Sequence, residues 1–266
     1  KEDLLVPGPV AEIPARIYAP AGFGSEVLPV LAYFHGGGWV QGDIKTHDGL
    51  CSRLALWSKA MVVSFEYRLA PENKFPAAVE DCCAAYRWLR SHGGEIGADA
   101  SRVAVGGDSA GGNLAAVVCQ EMQRIDVQLP SFQVLLYPVT NMAFDTLSHS
   151  ERKEDEFIPR DRLDWYFRQY LHSNVGREDP RVSPLKTEDL SGQPPALVIF
   201  GGFDPLRDDG RSYGEQLNSA GVDVTVHEYP GQIHAFLSLT KAIPQGIDAT
   251  REVADYIRRQ FFVKSA

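Results

Sequence analysis

A strand, a glycine-bracketed serine turn and a helix follow one another without a spacer between residues 101 and 125, and few folds accommodate that succession. Ser101-Arg102-Val103-Ala104-Val105 reads as a short buried strand, and Asn113 through Ile125 has the Leu, Ala and Val content of a helix packed on a sheet. The turn between them, Gly106-Gly107-Asp108-Ser109-Ala110-Gly111-Gly112, holds Ser109 in a Gly-x-Ser-x-Gly frame. So tight a turn forces its serine into strained backbone geometry and requires small residues two positions away. Gly107 and Gly111 meet that need, because a side chain at either would collide with the opposing backbone. The hydroxyl is left exposed at a helix N-terminus, where partial positive charge favours a developing oxyanion. The plainer alternative is a glycine-rich strand–helix turn with a bystander serine.

A second motif argues against the bystander. His35-Gly36-Gly37-Gly38-Trp39 follows the apolar run Pro29-Val30-Leu31-Ala32-Tyr33-Phe34, which reads as a central strand. Consecutive glycines at the end of a buried strand leave backbone N–H groups unencumbered and able to converge on an anion.

A nucleophilic serine needs a base, and the base needs an orienting acid. The chain has seven histidines. His35 belongs to the glycine loop, where an imidazole holds the loop in shape. His47 and His92 fall at expected helix ends, where capping or solvent exposure is the favoured role, and His149 and His172 lie in a polar middle segment. His227 alternates with apolar residues inside Val222–Tyr229 and reads as part of a strand. His234 follows that strand, after an expected turn at Pro230-Gly231, on the sheet edge where α/β folds bind ligands. The acid follows from the same logic. Ala196-Leu197-Val198-Ile199-Phe200 has the pattern of a strand buried on both faces. Asp204 falls just beyond its carboxyl end, and Pro205 stops regular structure there. Asp208 and Asp209 read instead as acids in the first turn of the next helix, favoured by its dipole. Asp108 is expected to brace the serine turn.

Strand-like runs at about 29–35, 61–67, 102–106, 132–138, 196–201 and 222–229 alternate with helical stretches near 47–59, 76–91, 113–125, 210–220 and 246–262. Leu4-Leu5-Val6 and residues 11–18 read as two earlier strands. The alternation predicts an α/β fold with a mostly parallel central sheet of about eight strands, an antiparallel start and helices on both faces. No repeat, low-complexity tract or linker divides residues 1–266, so a single domain is expected. The polar stretch 145–164 reads as a solvated helical insertion. A formal net charge of −9 and a pI near 5.3 argue against nucleic-acid partners and anionic membranes. No apolar run approaches a membrane span and no secretory signal is seen, so a cytoplasmic protein is expected. The four cysteines, Cys51, Cys82, Cys83 and Cys119, fall in expected helices and read as buried free thiols. Neither a metal-ligand nor a dinucleotide or phosphate-loop motif occurs, so no cofactor and no metal are expected.

The motifs 35–39, Tyr67-Arg68-Leu69-Ala70-Pro71-Glu72, 107–113, Asp204-Pro205-Leu206-Arg207-Asp208 and His234-Ala235-Phe236 together resemble the hormone-sensitive-lipase group of carboxylesterases (bacterial family IV) of the α/β-hydrolase fold. The resemblance covers the chain from about the third strand onward. It implies hydrolysis of short-chain acyl esters through an acyl-enzyme, with a small-molecule ester as the partner. Ser109 would be nucleophile, His234 base and Asp204 orienter, in the chain order usual for these hydrolases. The amides of Gly37, Gly38 and Ala110 would form the oxyanion hole, the choice of Gly37 and Gly38 resting on the resemblance alone. Such proteins usually begin with lid-forming helices. Here the first residues already read as strands, so those helices are expected to be absent or missing. The covering cap is then expected from about 141–185, with Phe157, Trp165, Tyr166 and Phe167 as its apolar face. Trp39, Leu206 and Phe236 flank the three motifs and are expected as substrate-pocket walls, plain core packing being the alternative. An apolar edge strand at 222–229 offers a route to a homodimer. The same triad would also serve an amidase, an arylformamidase or an acyltransferase, and a non-catalytic small-molecule receptor is the binding-module alternative.

Overall fold

The computed structural model describes residues 1–20, 22, 26–152, 154 and 157–263. Its centre is one eight-stranded sheet in the order β1-β2-β4-β3-β5-β6-β7-β8. Strands β1 (Glu2–Pro7) and β2 (Glu12–Tyr18) form an antiparallel hairpin, and β2 pairs antiparallel with β4 (Met61–Phe65). From β4 onward every pairing is parallel, through β3 (Leu28–Phe34), β5 (Ala98–Asp108), β6 (Gln133–Leu136), β7 (Ala196–Phe203) and β8 (Val224–Ile233). The strand periodicities explain this division. β2 alternates exposed and buried residues along its first half, as a one-sided strand must, whereas β3, β4 and β6 are buried at every position.

Burial on both faces requires a helical layer on each. It comes from α1 (Asp48–Ser58) packed against α7 (Gln245–Phe262), α2 (Ala77–His92) packed against α3 (Ala110–Arg124), and α6 (Arg207–Ser219) against β7 and β8. No helix among the described residues is long and apolar enough to cross a membrane. The four cysteines are buried and free within α1, α2 and α3.

Two readings of the sequence are corrected. Pro230-Gly231 does not turn the chain, because β8 continues through it to Ile233. Gly201 pairs with Tyr229 and Phe203 with Ile233, so the single residue Gly202 of β7 faces three of β8 in a bulge. Gly201 and Gly202 make the bulge possible: a Cβ on Gly201 would strike the Gln232 carbonyl, and one on Gly202 the Pro230 carbonyl. The strand therefore delivers His234 directly from its end.

The second correction concerns the segment between β6 and β7. It carries α4 (Leu147–Glu151) and α5 (Arg160–Tyr170), with residues 153, 155 and 156 of the expected cap lying outside the described residues. The buried face of α5 is Leu163, Tyr166, Phe167 and Tyr170, while Trp165 is 50% exposed and points away. A 3.6-residue period explains it: Leu163, Tyr166, Phe167 and Tyr170 fall at i, i+3, i+4 and i+7 on one face, and Trp165 falls outside that stripe. The C-terminal end of α5 is held firmly. Lys74 Nζ donates to the carbonyls of Arg168 (2.9 Å), Gln169 and Leu171 (3.1 Å), and Phe75 N donates to the Tyr170 carbonyl at 2.8 Å. A cation among the last carbonyls satisfies acceptors that the helix leaves open and complements its dipole.

Candidate active site

Three strand ends converge at the C-terminal edge of the sheet. β5 ends at Asp108, and Ser109 follows with φ 55° and ψ −116°, immediately before α3 begins at Ala110. The strain is held by packing and hydrogen bonds. Ser109 N donates to the Leu136 carbonyl at 2.8 Å, and Asn113 N donates to the Ser109 carbonyl at 3.0 Å. A Cβ on Gly107 or Gly111 would be driven into the carbonyl oxygen of Phe34, so β3 and the turn approach more closely than any side chain permits.

Ser109 Oγ lies 2.9 Å from His234 Nε2, and His234 Nδ1 lies 2.8 Å from Asp204 Oδ2. A carboxylate accepts hydrogen bonds, so its contact places the imidazole proton on Nδ1 and leaves Nε2 to accept from the serine hydroxyl. Asp204 Oδ1 accepts the Leu206 amide at 2.8 Å, which fixes the carboxylate in turn. Asp204 is fully buried, while His234 and Ser109 are 3% and 8% exposed. The edge of the Tyr137 ring packs on the imidazole, with centroids 4.9 Å apart.

The glycine loop after β3 lies across from the serine. Gly37 and Gly38 have φ of 122° and 62°, a region that favours glycine, and among the described residues no protein acceptor takes their amides. Both line the cavity that opens on Ser109. Ala110 is the first residue of α3, where helix N–H groups lack intrahelical partners.

One carboxylate ties this loop to the serine turn. Asp108 accepts from Tyr33 Oη at 2.7 Å, from Gly36 N at 3.0 Å and from His47 Nε2 at 3.2 Å. Burial alone would raise the Asp108 pKa, but the His47 charge and these donors hold it below the ordinary carboxylate range. Burial likewise would depress His47, and the Asp108 carboxylate outweighs it, so that imidazole stays above its ordinary value. His35 behaves differently. Its ring stacks on Tyr67 at 4.4 Å, its Nδ1 donates to the Gly36 carbonyl at 2.8 Å, and burial pushes its pKa down to about 4. It shapes the loop as a neutral ring.

The cavity measures about 500 Å³, and its walls include Tyr166, Phe157, Ile158, Arg162 and Leu239. Tyr166 closes the roof, its ring where a Gly38 side chain would be and its hydroxyl accepting from Gln41 Nε2 at 2.9 Å. The residues expected as walls are elsewhere. Trp39, Leu206 and Phe236 are each fully buried and none lines this cavity. Trp39 stacks on Tyr170 beneath the cap at 4.5 Å, and Phe236 packs between Tyr137 and Tyr229. Trp39 and Phe236 each follow a cavity-lining residue, Gly38 and Ala235, and turn into the core instead, as Leu206 does after Pro205.

Sequence reasoning missed several features here. His47, read as a capping or exposed residue, is buried and lines the cavity. His149, placed in a polar segment, is buried against Asp209 at 3.3 Å. Burial pushes the His149 pKa down to about 4 and drives that of Asp209 well above the ordinary carboxylate range. Asp209 accepts the amides of Thr140 (3.0 Å) and Asn141 (2.9 Å), and so anchors the chain entering the cap rather than only serving a helix dipole. The i, i+4 spacing of Ile158, Arg162 and Tyr166 was the signal available for the cavity face of the cap.

A serine at a strained strand–helix turn, hydrogen-bonded to a histidine and through it to an aspartate on a mostly parallel sheet, defines an α/β-hydrolase arrangement. Residues 31–238 match the family described as the alpha/beta hydrolase fold. The carboxylic ester hydrolase LipN of Mycobacterium tuberculosis is 45% identical over 262 residues, covering 96% of this chain and 69% of LipN. Ethyl acetate hydrolase of Pseudomonas putida is 35% identical over 250 residues, covering 93% of this chain and 78% of the relative. The solved structure of the ester-hydrolase EH1AB1 from the metagenome of Lake Arreo, complexed with a derivative of bipyridine phosphonate, superposes with a TM-score of 0.96. It is 44% identical and covers 98% of this chain and 82% of that one. The chain belongs to the α/β-hydrolases, within their hormone-sensitive-lipase-like group (bacterial family IV). It is a carboxylic ester hydrolase.

Proposed function

We propose that this enzyme hydrolyses short-chain acyl esters through an acyl-enzyme, with Ser109 as nucleophile, His234 as general base and Asp204 as its orienter. The observation that carries the reading is the continuous bond chain from Ser109 Oγ through His234 to Asp204, at 2.9 and 2.8 Å. Neutral His234 accepts the Ser109 proton at Nε2 as Oγ attacks the ester carbonyl. Asp204 stabilises the imidazolium that forms, and the amides of Gly37, Gly38 and Ala110 receive the oxyanion. His234 then protonates the leaving alcohol, and water repeats the sequence on the acyl-enzyme. The cavity of about 500 Å³ suits a small ester, and a relative bears the name ethyl acetate hydrolase.

The test is hydrolysis of p-nitrophenyl esters from acetate to laurate by the wild type and by folded Ser109→Ala. Turnover concentrated in the shorter esters, and reduced by about 10⁴-fold or more in the variant, is expected. Retained activity in Ser109→Ala overturns the nucleophile assignment, and a preference for laurate overturns the chain-length reading. The residues 222–229 at the sheet edge also offer a homodimer interface. β8 is the last strand of the sheet, and Val226 is 44% exposed. Sedimentation of wild type against Val226→Lys reads that association, and a wild type that sediments as a monomer removes it.

A further inference from the structure

The cavity that opens on Ser109 is lined by Arg162, a cation that no carboxylate among the described residues pairs with. Arg162 lies one helical turn before Tyr166 on α5, and both residues line the cavity. Residues spaced in this way stand about 6 Å apart on a helix face. Since the Tyr166 ring packs over Gly38, Arg162 stands one turn away from the glycine loop.

Several arginines near it do have partners. Arg168 and Arg177 both pair with Asp164, Arg181 pairs with Asp179, and Arg207 with Glu151 and Asp208. Arg160 lies over the Phe144 ring. Carboxylates outnumber Lys and Arg by 35 to 26 in the sequence, yet none among the described residues lies within ion-pair distance of Arg162. The other titratable side chains of the cavity wall have partners, His47 with Asp108 and His234 with Asp204. Against a protein of net charge −9, the wall beside the serine therefore carries a local excess of positive charge.

We propose that Arg162 binds a carboxylate carried by the substrate, so that the preferred esters are anionic, with the charge several bonds from the scissile carbonyl. This rests on the reading of Ser109 as nucleophile. A planar guanidinium presents paired donors that match a carboxylate's two oxygens, and it stays charged at any working pH. One turn of α5 plus the reach of the side chain sets the spacing at about four to six methylenes.

The test measures kcat/KM by pH-stat titration at low ionic strength for two anionic esters and their neutral counterparts. Monoethyl adipate against ethyl hexanoate places the charge on the acyl half, and 6-acetoxyhexanoate against hexyl acetate places it on the alcohol half. The readout is the anionic-to-neutral ratio for wild type, Arg162→Gln and Arg162→Glu, which does not depend on the folded fraction of each preparation. In at least one pair the ratio is expected to fall about two- to fivefold in Arg162→Gln, chiefly through KM, and further in Arg162→Glu. Raising the salt to about 0.5 M should erase most of the difference, because an exposed pair is screened. The pair that responds assigns the charge to the acyl or the alcohol half. Ratios that are the same in all three proteins overturn the proposal. Loss of Ser109 as nucleophile would appear separately, as neutral-ester turnover surviving in Ser109→Ala.

Discussion

Replacing His47 by Ala isolates the ion pair that joins the glycine loop to the serine turn. His47 is 8% exposed and Asp108 3%, so the variant strands a buried carboxylate. Removing one member of a buried pair costs about 3–5 kcal/mol when nothing else satisfies the remaining charge. Here Asp108 keeps Tyr33 Oη at 2.7 Å and Gly36 N at 3.0 Å, which reduces the expected loss to about 2–3 kcal/mol. For a chain of this size that is a fall in Tm of about 4–12 °C. The pH dependence separates charge from shape. His47 is raised above its ordinary value, so its contribution is complete below about pH 6.5 and is lost as pH rises through the folded value. Asp108 is lowered, so its contribution is present above about pH 3.9 and is lost as pH falls through its folded value. The difference in Tm between wild type and variant should therefore peak between about pH 4 and 6.5 and shrink towards pH 9. Thermal melts at pH 5.5, 7 and 9 measure it, with His47→Gln as a variant that keeps a donor without the charge. An equal difference at all three values would show that packing alone holds His47 and would refute the electrostatic argument.

Gly111→Ala should abolish folding, because its Cβ would enter the Phe34 carbonyl where two backbone segments meet. Soluble yield and circular dichroism report the outcome, and recovery of a folded, active variant would show that the turn has slack. Trp39→Ala should cost about 3–5 kcal/mol as a large buried ring is removed, with rates on esters of all chain lengths falling together. A selective change in acyl-chain preference, seen without a comparable loss in Tm, would return Trp39 to the pocket wall.

Much of this molecule was legible because its informative residues lie at the ends of strongly apolar strands. Asp204 stands out since five apolar residues precede it and a proline follows, and Gly107 and Gly111 announce a close approach that only glycine tolerates. What failed were judgements that depend on which way a side chain turns. Trp39, Leu206 and Phe236 are adjacent to motif residues in sequence, but adjacency alternates direction, and all three face inward. Pro230-Gly231 has the composition of a turn, yet β7 offers two glycines for β8 to bulge across. His47 and His149 lie among polar neighbours and still become buried, because each meets a carboxylate distant in sequence, Asp108 and Asp209. No local pattern marks such a pairing. The i, i+4 spacing of Arg162 and Tyr166 marks one face of α5, and the seat of Tyr166 on Gly38 shows that this face looks into the cavity.

The anchoring of α5 makes that helix a lever with a known fulcrum. Trp39, Lys74 and Phe75 grip the helix at its Tyr170 end, so any tilt pivots there. Eleven residues give an arm of about 16 Å, and a rotation of about 10° carries the Arg160 end through nearly 3 Å. Tyr166, close to the pivot, moves by less than half as much. On that pivot the part of α5 that carries Arg162 would sweep further than the part over Gly38. A tilt of that kind would change the cavity on the Arg162 side while moving the wall over Gly38 least.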